Sequence, residues 1–329
     1  MNPDFQYFAA KIEGLHNGVH DFDQLALEVF RLQATFNPVY RSFLKHLNTD
    51  FENIKTLTEI PFLPVSFFKN KAIKTMEWTS EANFESSGTT GQAKSKHAVY
   101  SLDFYHNHST QIFEHTFGNL SKFQIVGLLP TYLDNPNSSL VSMVQHFAIK
   151  SGIRPEFCGL DFDKFKKILA NARQKSRQIL LFSVSYALMK LIGSENLNLA
   201  DCLVIETGGF KGLEQNIAKA ELLENIQNGL NINMLYSEYG MTEMLSQAYG
   251  QGENFKPSAA MRIFVRDLDD PFAVNLKGRG AANIVDLANF STCSFIATDD
   301  LCQVDAAGDF QIMGRLDGSD LRGCNLLFY

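Results

Sequence analysis

The sequence has little of what marks several broad classes of protein. Its 329 residues include only five cysteines, an odd number, and no two of them are spaced as C-x-x-C. This pattern argues against a disulfide framework and against a zinc knuckle, so we expect free thiols. The chain also lacks an excess of positive charge, since its formal net charge is -7. Because phosphate backbones require basic surfaces, we do not expect nucleic acid as a partner.

Long apolar segments are missing as well. The longest, 179–192, is interrupted by Ser183, Ser185 and Lys190 and is too short to cross a bilayer. The first residues contain no basic segment followed by an apolar run. We therefore expect no membrane span, no secretion signal and a cytoplasmic location. With 45% hydrophobic and 20% charged residues, the composition is that of an ordinary globular protein, and its 28 phenylalanines could pack a core or line a site for an apolar substrate.

Strand and helix patterns alternate through the middle of the chain. Short apolar runs predict strands, and amphipathic stretches, some behind a serine or aspartate cap, predict helices. In order, these predicted elements are 123–130, 138–151, 161–174, 178–184, 186–192, 202–206, 213–228 and 232–235. Such alternation is typical of an α/β fold in which helices flank a mainly parallel sheet.

The two ends of the chain follow other patterns. Residues 1–60 predict a helical layer, in which Asp21 caps one helix and Pro38 opens another. From 259 to 329 we expect a small antiparallel β subdomain, with separate strands at 294–298 and 301–304 and a hairpin turn at 306–309. The remainder, 61–258, is then the α/β core.

The segment 60–69 is rich in aromatic residues and contains two prolines. Proline cannot donate to a strand ladder, so this segment is predicted to be a buried extended edge rather than a central strand.

A run rich in glycine and hydroxyl groups, 85–97, precedes a predicted helix at 101–117. Glycine permits close backbone approach, and hydroxyl groups and lysines can bind anions, so the run has the ingredients of a polyphosphate cradle. Its place before a helix N-terminus favours the same ligand. Such clusters are also typical of plain surface loops, so both interpretations stay open on composition. The run is not a Walker P-loop, because Ala93 stands where that motif has glycine.

Polar residues also follow the predicted strands farther along the chain, in the segments 206–212 and 236–243. Ligands of parallel sheets bind at the carboxyl ends of strands. Tyr239 could lay its ring along an adenine, Glu243 could hold Mg²⁺, and Asp300 could accept hydrogen bonds from a ribose diol.

The histidines offer weaker alternatives. Three of them, at 106, 108 and 115, could suggest a metal site but lack a convincing fourth ligand. His97, at the end of the glycine-rich run, could act as a base.

Taken in order, these motifs resemble the acyl-adenylate-forming superfamily, which includes acyl-CoA synthetases, peptide-synthetase adenylation domains and firefly luciferase. The motifs that carry the resemblance are Ser86-Ser87-Gly88-Thr89-Thr90-Gly91-Gln92-Ala93-Lys94, Gly208-Gly209-Phe210, Tyr239-Gly240-Met241-Thr242-Glu243, Thr298-Asp299-Asp300 and Gly314-Arg315-Leu316-Asp317. Any one of them is weak, whereas five in the expected order over about 230 residues are specific. The resemblance implies the large-domain fold of these enzymes, with ATP and Mg²⁺ as cofactors.

The resemblance also implies a role for each matching residue. Phosphates would be held by Ser87, Gly88, Thr89, Thr90 and Gly91, with charge from Lys94. The adenine would be held by Gly208, Gly209 and Tyr239, the adenine and phosphates by Gly240 and Thr242, the metal ion by Glu243, and the ribose by Asp300 and Arg315.

Within the superfamily the chain is most similar to the acyl-protein synthetases of bacterial luminescence operons. That similarity lies in 60–69, 94–96 and 319–325, and it implies that a fatty acid is activated and then carried on Cys324. Arg315 and Arg322 could lower the pKa of this thiol. An acyl reductase or an acyl-carrier protein would be the partner. From its position between a strand and a helix, we expect Leu128–Leu140 to touch the acyl chain.

The sequence departs from the superfamily pattern at three places. Ala93-Lys94-Ser95 replaces the usual Pro-Lys-Gly and Thr298-Asp299-Asp300 replaces Thr-Gly-Asp. Because the sequence given stops five residues after Cys324, we also expect the mobile C-terminal lid domain to be absent. Two alternatives therefore stay open: an acyl-CoA or aryl-CoA ligase that works without a lid, and a non-catalytic subunit that binds an acyl group or a nucleotide.

Overall fold

The computed structural model describes residues 3–86, 94–130, 135–193, 197–208 and 219–316. Within these residues the α-helices are α1 (Pro3–His16), α2 (Phe22–Phe36), α3 (Pro38–His46), α4 (Phe67–Asn70), α5 (Leu102–Phe117), α6 (Ser139–Lys150), α7 (Phe162–Arg173), α8 (Ser185–Leu191) and α9 (Lys219–Gly229). The strands there are β1 (Leu63–Pro64), β2 (Ala82–Glu85), β3 (Lys96–Val99), β4 (Phe123–Leu128), β5 (Glu156–Cys158), β6 (Gln178–Val184), β7 (Cys202–Thr207), β8 (Met234–Tyr239), β9 (Ala248–Gln251), β10 (Asn254–Pro257), β11 (Met261–Arg266), β12 (Val274–Asn275), β13 (Gly278–Asp286), β14 (Phe295–Val304) and β15 (Phe310–Arg315). None of the described helices is long and apolar enough to cross a membrane.

The described residues form two compact units. Unit 1 contains 3–112, 240–248 and 256–316, and unit 2 contains 113–239 and 249–255, apart from the gaps named above. The helical N-terminal segment and the β-rich C-terminal segment therefore belong to the same unit.

Unit 2 is built on a parallel sheet with the strand order β5-β4-β6-β7-β8, as the alternating pattern predicted. Successive residues of these strands point to opposite faces, so both faces need apolar cover. On one face Leu181 and Val204 pack with residues of α7, α8 and α9. On the other, the rings of Phe113, Phe147 and Phe182 lie 5.1–6.4 Å apart. The unit is thus a three-layer α/β arrangement.

Unit 1 contains an antiparallel sheet with the strand order β12-β11-β13-β14-β15, and β1 runs parallel to β14. A cluster of four buried aromatic rings, with Phe295 of β14 at its centre, joins the sheet to the N-terminal helices and to the segment before β1. The other three rings are those of Phe30, Tyr40 and Phe62. Both predicted helix starts are confirmed, because Asp21 accepts from Gln24 N at 2.8 Å and Asn37 with Pro38 begins α3.

The β-rich segment differs from the sequence prediction in one detail. Two strands were predicted at 294–298 and 301–304, and the structure has the single strand β14. Its pairing with β15 shifts between Leu301 and Cys302, so a bulge accommodates the polar residues without ending the strand. The predicted turn before β15 is confirmed: Asp305 N donates to Asp309 O at 2.9 Å, and Gly308 has φ +89°.

Candidate functional site

The predicted phosphate loop connects the two strands of a hairpin. Its residues Ser87, Gly88, Thr89, Thr90 and Gly91 lie outside the described part of the chain. On either side, β2 and β3 pair antiparallel with Glu85 opposite Lys96, and one further hydrogen bond joins Ser86 N to Ser95 O at 3.1 Å. The two ends of the loop are therefore held together by a strand ladder.

Lys94 lies at the base of this hairpin. Its Nζ is 4.0 Å from the carboxylate of Glu85, which also lies 3.6 Å from Lys96 Nζ. The lysine side chains are 42% and 67% exposed, so these pairs are weak and can exchange for another anion.

The helix predicted after this loop is confirmed as α5. Strand β3 lies between the loop and the first residue of that helix, Leu102. The first turn of α5 is capped from within the protein, since Leu102 N donates to Glu81 at 2.7 Å and Phe104 N to Ser101 Oγ at 3.2 Å. Any anion bound by the loop must then be held by the loop itself and by the nearby lysines.

The segment Gly240–Ala248 of unit 1 contains the predicted ligands Gly240, Thr242 and Glu243. Most of it has no regular secondary structure, and the Glu243 side chain is only 1% exposed. Side chains from other segments satisfy its backbone: Thr242 O accepts from His97 Nδ1 at 2.8 Å, and Glu243 O accepts from Asn289 Nδ2 at 2.8 Å. Two successive carbonyl groups are thus fixed by side chains.

Asp286 fixes the same segment two residues farther along. This fully buried carboxylate accepts from Leu245 N at 2.8 Å, from Ser246 N at 3.0 Å and from Ser246 Oγ at 2.6 Å. Burial raises the pKa of Asp286 in spite of these hydrogen bonds. The segment that carries Glu243 is therefore anchored at both ends.

Other buried polar groups support this frame from α2. Gln33 Nε2 donates to Asn289 O at 3.0 Å, and its Oε1 accepts from Ser294 N at 2.9 Å. The sequence patterns did not predict a role in the site for Gln33, Asp286 or Asn289. The only signal for the last two was the presence of polar residues inside the otherwise apolar stretch 281–298.

The surroundings of His97 do not suit a catalytic base. The ring is fully buried, its Nδ1 bonds the carbonyl of Thr242, and its Nε2 lies 3.0 Å from Thr292 Oγ1. Burial lowers the pKa of His97 to about 4, against smaller opposite effects of the bond to Thr242 and of the negative charge of Glu243. Both ring nitrogens are occupied within the protein, so the suggested base role is wrong.

His108, one of the three histidines of α5, is buried and hydrogen-bonded within the protein. His108 Nε2 lies 2.8 Å from Ser246 Oγ, and its Nδ1 lies 3.3 Å from His16 Nε2. Burial lowers the pKa of His108 to about 3, and His16 adds to this effect. Among the described residues there is no group of three or more His, Cys, Asp and Glu side chains that could hold a metal ion.

The predicted ribose ligands meet across two strands of unit 1. Asp300 of β14 lies opposite Arg315 of β15, and Arg315 Nε is 3.3 Å from Asp300 Oδ1 while Nη2 is 3.2 Å from Asp299 Oδ2. The Arg315 side chain is 9% exposed, and that of Asp300 is 12% exposed. The register thus brings the two motifs together as a nearly buried ion pair.

The strand ends of unit 2 carry a second polar cluster. Glu206 of β7 is fully buried and accepts from Ser185 Oγ and Ser237 Oγ, each at 2.5 Å, while Lys219 Nζ lies 3.3 Å away. The sequence pattern indicates a polar segment at Glu206. It does not indicate the partners Ser185 and Lys219, because they lie 21 and 13 positions away. One residue beyond, Gly208 ends the described part of this segment, and Gly209 lies outside it.

The neighbouring strand adds a second carboxyl group and the predicted adenine-binding ring. Glu238 accepts from Thr207 Oγ1 at 2.8 Å, and burial raises the pKa of Glu238 to about 7, an effect that the charge of Glu206 reinforces and that of Lys219 opposes. The Tyr239 ring is 6% exposed and lies 5.9 Å from the ring of Phe255. Polar groups therefore collect at the carboxyl ends of β6, β7 and β8, where an open parallel sheet binds its ligands.

Cys324 and the rest of its motif, 317–329, lie outside the described residues. The other four cysteines, 158, 202, 293 and 302, are buried free thiols. Burial raises their pKa values to between about 11 and about 12, so the free thiols predicted from the sequence are poor nucleophiles.

Several solved enzymes share this fold. The O-succinylbenzoate coenzyme A synthetase MenE from Bacillus subtilis, in complex with ATP and a magnesium ion, matches 77% of this chain and 56% of its own, with a TM-score of 0.51 and 14% identity. A malonyl-CoA ligase with methylmalonyl-CoA and AMP bound matches 72% and 53%, with a TM-score of 0.51 and 14% identity. Apo MatB from Rhodopseudomonas palustris matches 75% and 50%, with a TM-score of 0.50 and 17% identity. The chain has the large-domain fold of the adenylate-forming enzymes.

This likeness confirms the fold class predicted from the sequence. The chain spans about half the length of the matched structures. No protein-family model matches it, and no curated protein sequence is detectably similar to it. At these identities the fold is established by structure rather than by overall sequence.

The oxygen ligands of the segment 240–248 fit a magnesium ion. Mg²⁺ in nucleotide sites is held by one or two carboxylates together with substrate phosphates and water. Glu243, the predicted metal ligand, offers a carboxylate, which is a hard oxygen ligand. A site of this kind needs no cluster of protein ligands.

Proposed function

We propose that the protein activates a carboxylic acid, most simply a medium-chain or long-chain fatty acid, by forming its acyl-adenylate from ATP. The proposal is supported by the adenylate-forming fold together with the order of the five motifs. The observation that carries it is the buried polar frame around Thr242 and Glu243, which fixes the predicted phosphate and metal ligands with partners from distant segments.

In the first half-reaction, an oxygen of the carboxylate attacks the α-phosphorus of ATP. The new bond joins that oxygen to phosphorus, the bond from the α-phosphorus to the bridging oxygen breaks, and pyrophosphate leaves. This step depends mainly on positioning and on neutralising charge. Ser87, Gly88, Thr89, Thr90 and Gly91 would hold the phosphates.

The remaining matched residues complete the proposed nucleotide site. Lys94 would neutralise phosphate charge, and Glu243 would hold Mg²⁺, which supplies positive charge next to the leaving group. The nucleotide would be held by Gly208, Gly209, Tyr239, Gly240, Thr242, Asp300 and Arg315. Because Arg315 pairs with Asp299 and Asp300, it would set the position of the carboxylate that accepts from the ribose.

In the second half-reaction, the thiolate of Cys324 attacks the acyl carbon. A thioester forms, the bond from the acyl carbon to the phosphate oxygen breaks, AMP leaves, and the thiol proton goes to solvent. We further propose that the acyl group passes to an acyl reductase or an acyl-carrier protein in the cytoplasm. In this scheme the protein is an acyl-protein synthetase like those of the luminescence operons.

A pyrophosphate-exchange assay over acids of increasing chain length tests the first half-reaction. We expect ATP-dependent exchange with one class of fatty acids, and its absence with every acid would contradict adenylation and favour a non-catalytic binding subunit. Radiolabelled acid then tests the second half-reaction: Cys324→Ser should abolish protein labelling and preserve exchange. Cys302→Ala is the matched control, because that buried thiol has a raised pKa and should not carry the acyl group.

A CoA ligase is the second candidate, since two of the matched structures are named as a coenzyme A synthetase and a malonyl-CoA ligase. Consumption of free CoA together with ATP, unchanged in Cys324→Ser, would favour it.

A further inference from the structure

His97 joins two parts of the chain that the proposed function requires. It lies in β3, three residues after Lys94 and opposite Phe84 of β2. Its Nδ1 is 2.8 Å from the carbonyl oxygen of Thr242, which is 145 positions away in the sequence. The strand that follows the predicted phosphate loop is therefore bonded to the residue before the predicted metal ligand.

The partners of the ring define its tautomer. A carbonyl oxygen can only accept, so the proton must be on Nδ1. Nε2 is then an acceptor, and Thr292 Oγ1, at 3.0 Å, donates to it. These two partners fit a neutral ring with its proton on Nδ1.

Thr292 is itself held firmly, which makes the ring a fixed link. Its carbonyl oxygen accepts from Asn37 Nδ2 and from Thr75 Oγ1, both at 2.7 Å, and all three residues are buried. The ring of Phe68 lies against His97 edge to face, with the centroids 5.6 Å apart. The imidazole thus has one defined orientation, and its Nδ1–H fixes the peptide group between Thr242 and Glu243.

We propose that His97 is a positioning residue for adenylation, which fixes the backbone at Thr242 and Glu243 relative to β3, the strand that begins two residues after Lys94. This inference rests on the proposed function. In this role His97 contacts neither nucleotide nor acid. It sets the position of the main chain from which the Glu243 side chain extends. Loss of the Nδ1 bond should raise the magnesium concentration that adenylation requires and lower its rate. Loss of the Nε2 bond alone should change both quantities much less.

Two conservative variants separate the two nitrogens. The amide nitrogen of asparagine can occupy the position of Nδ1, and the amide of glutamine that of Nε2. In the pyrophosphate-exchange assay we expect His97→Gln to raise the magnesium concentration for half-maximal exchange about tenfold and to lower kcat about tenfold, the size expected for one buried hydrogen bond. His97→Asn should stay within about threefold of wild type, and the KM for the acid should change in neither variant.

Thr292→Val is the matched control, because it removes the partner of Nε2 and leaves the bond to Thr242. It should resemble His97→Asn, and thermal unfolding of all three variants identifies any that fail to fold. Equal loss in the asparagine and glutamine variants, or no loss in either, would overturn the proposal.

A second measurement keeps this inference separate from the proposed function. Hydrogen exchange followed by mass spectrometry on the peptide covering 240–248 needs no substrate. We expect exchange in this peptide to be about tenfold faster in His97→Gln than in His97→Asn. If wild type shows no pyrophosphate exchange with any acid, the proposed function fails, and this peptide alone decides whether His97 positions the segment. Identical exchange in the two variants would refute the positioning role.

Discussion

The interiors of the two units are built from different kinds of contact. In unit 2 the helices cover a parallel sheet with aliphatic and aromatic side chains, and one large apolar cluster fills a face of that sheet. In unit 1 the segment 240–248 is surrounded by buried polar side chains that bond its backbone, notably His97, Asp286 and Asn289. The difference follows from backbone hydrogen bonding. Paired strands satisfy their own peptide groups and can be covered by apolar atoms, whereas an irregular buried segment needs side chains as partners.

The difference also bears on function. An apolar cover tolerates many sequences of similar volume, but a polar frame has defined donors and acceptors and so fixes one backbone position. In unit 2 a buried charged pair, Glu206 with Lys219, lies where β7 ends. We infer that unit 2 supplies a scaffold with ligands at its edge, while unit 1 holds the Glu243 segment from the inside.

The largest effect should come from breaking the apolar interior of unit 2. Phe182 is fully buried between the rings of Phe113 and Phe147. Phe182→Ala removes this ring and leaves a cavity, so we expect the free energy of unfolding to fall by about 3–5 kcal/mol in urea denaturation. The control is Phe272→Ala, because that side chain is 64% exposed and should change stability by about 0.5 kcal/mol at most. Equal effects of the two substitutions would show that the aromatic layer is not a core.

The same contrast explains what the sequence could predict. Periodic apolar patterns and caps depend on near neighbours, so the alternating elements of unit 2, the cap at Asp21 and the turn before β15 follow from the sequence. The polar frame joins residues far apart in the chain, such as Gln33 with Asn289 and His97 with Thr242. No local pattern marks such partners. The motif order therefore identifies the candidate ligands, but only the fold shows what holds them.

A smaller effect should appear in the pH dependence of stability, which we expect to have opposite signs for a buried group of unit 1 and one of unit 2. The pKa of His97 is lowered by burial from 6.5 to about 4, so its contribution to stability is present above pH 6.5 and is lost as the pH falls towards 4. The pKa of Glu238 is raised by burial from 4.5 to about 7, so its contribution is present below pH 4.5 and is lost as the pH rises through 7. The two groups should therefore have opposite pH dependences.

Urea denaturation at about pH 5 and about pH 7 tests this expectation, with the difference between wild type and variant as the measured quantity. For His97→Asn we expect the loss of stability to be about 2 kcal/mol larger at the higher pH. For Glu238→Gln the stability relative to wild type should rise by about 2 kcal/mol over the same interval. Asp286, whose pKa is also raised, is present in both variants and cancels in each difference. Slopes of the same sign would contradict the assignment.

The smallest effect should come from an ion pair of unit 2 that belongs to neither interior. Arg173 and Asp201 form a two-bond pair, with Nε and Nη2 each 2.8 Å from a carboxylate oxygen, but their side chains are 38% and 48% exposed. Water and salt screen such a pair, so Asp201→Asn should lower the free energy of unfolding by less than about 1 kcal/mol. The loss should shrink further in about 1 M salt, where the Debye length is only about 3 Å. A larger loss that salt does not change would mean that Asp201 acts through its neutral hydrogen bonds, and that the edge of unit 2 is held by polar contacts much as the interior of unit 1 is.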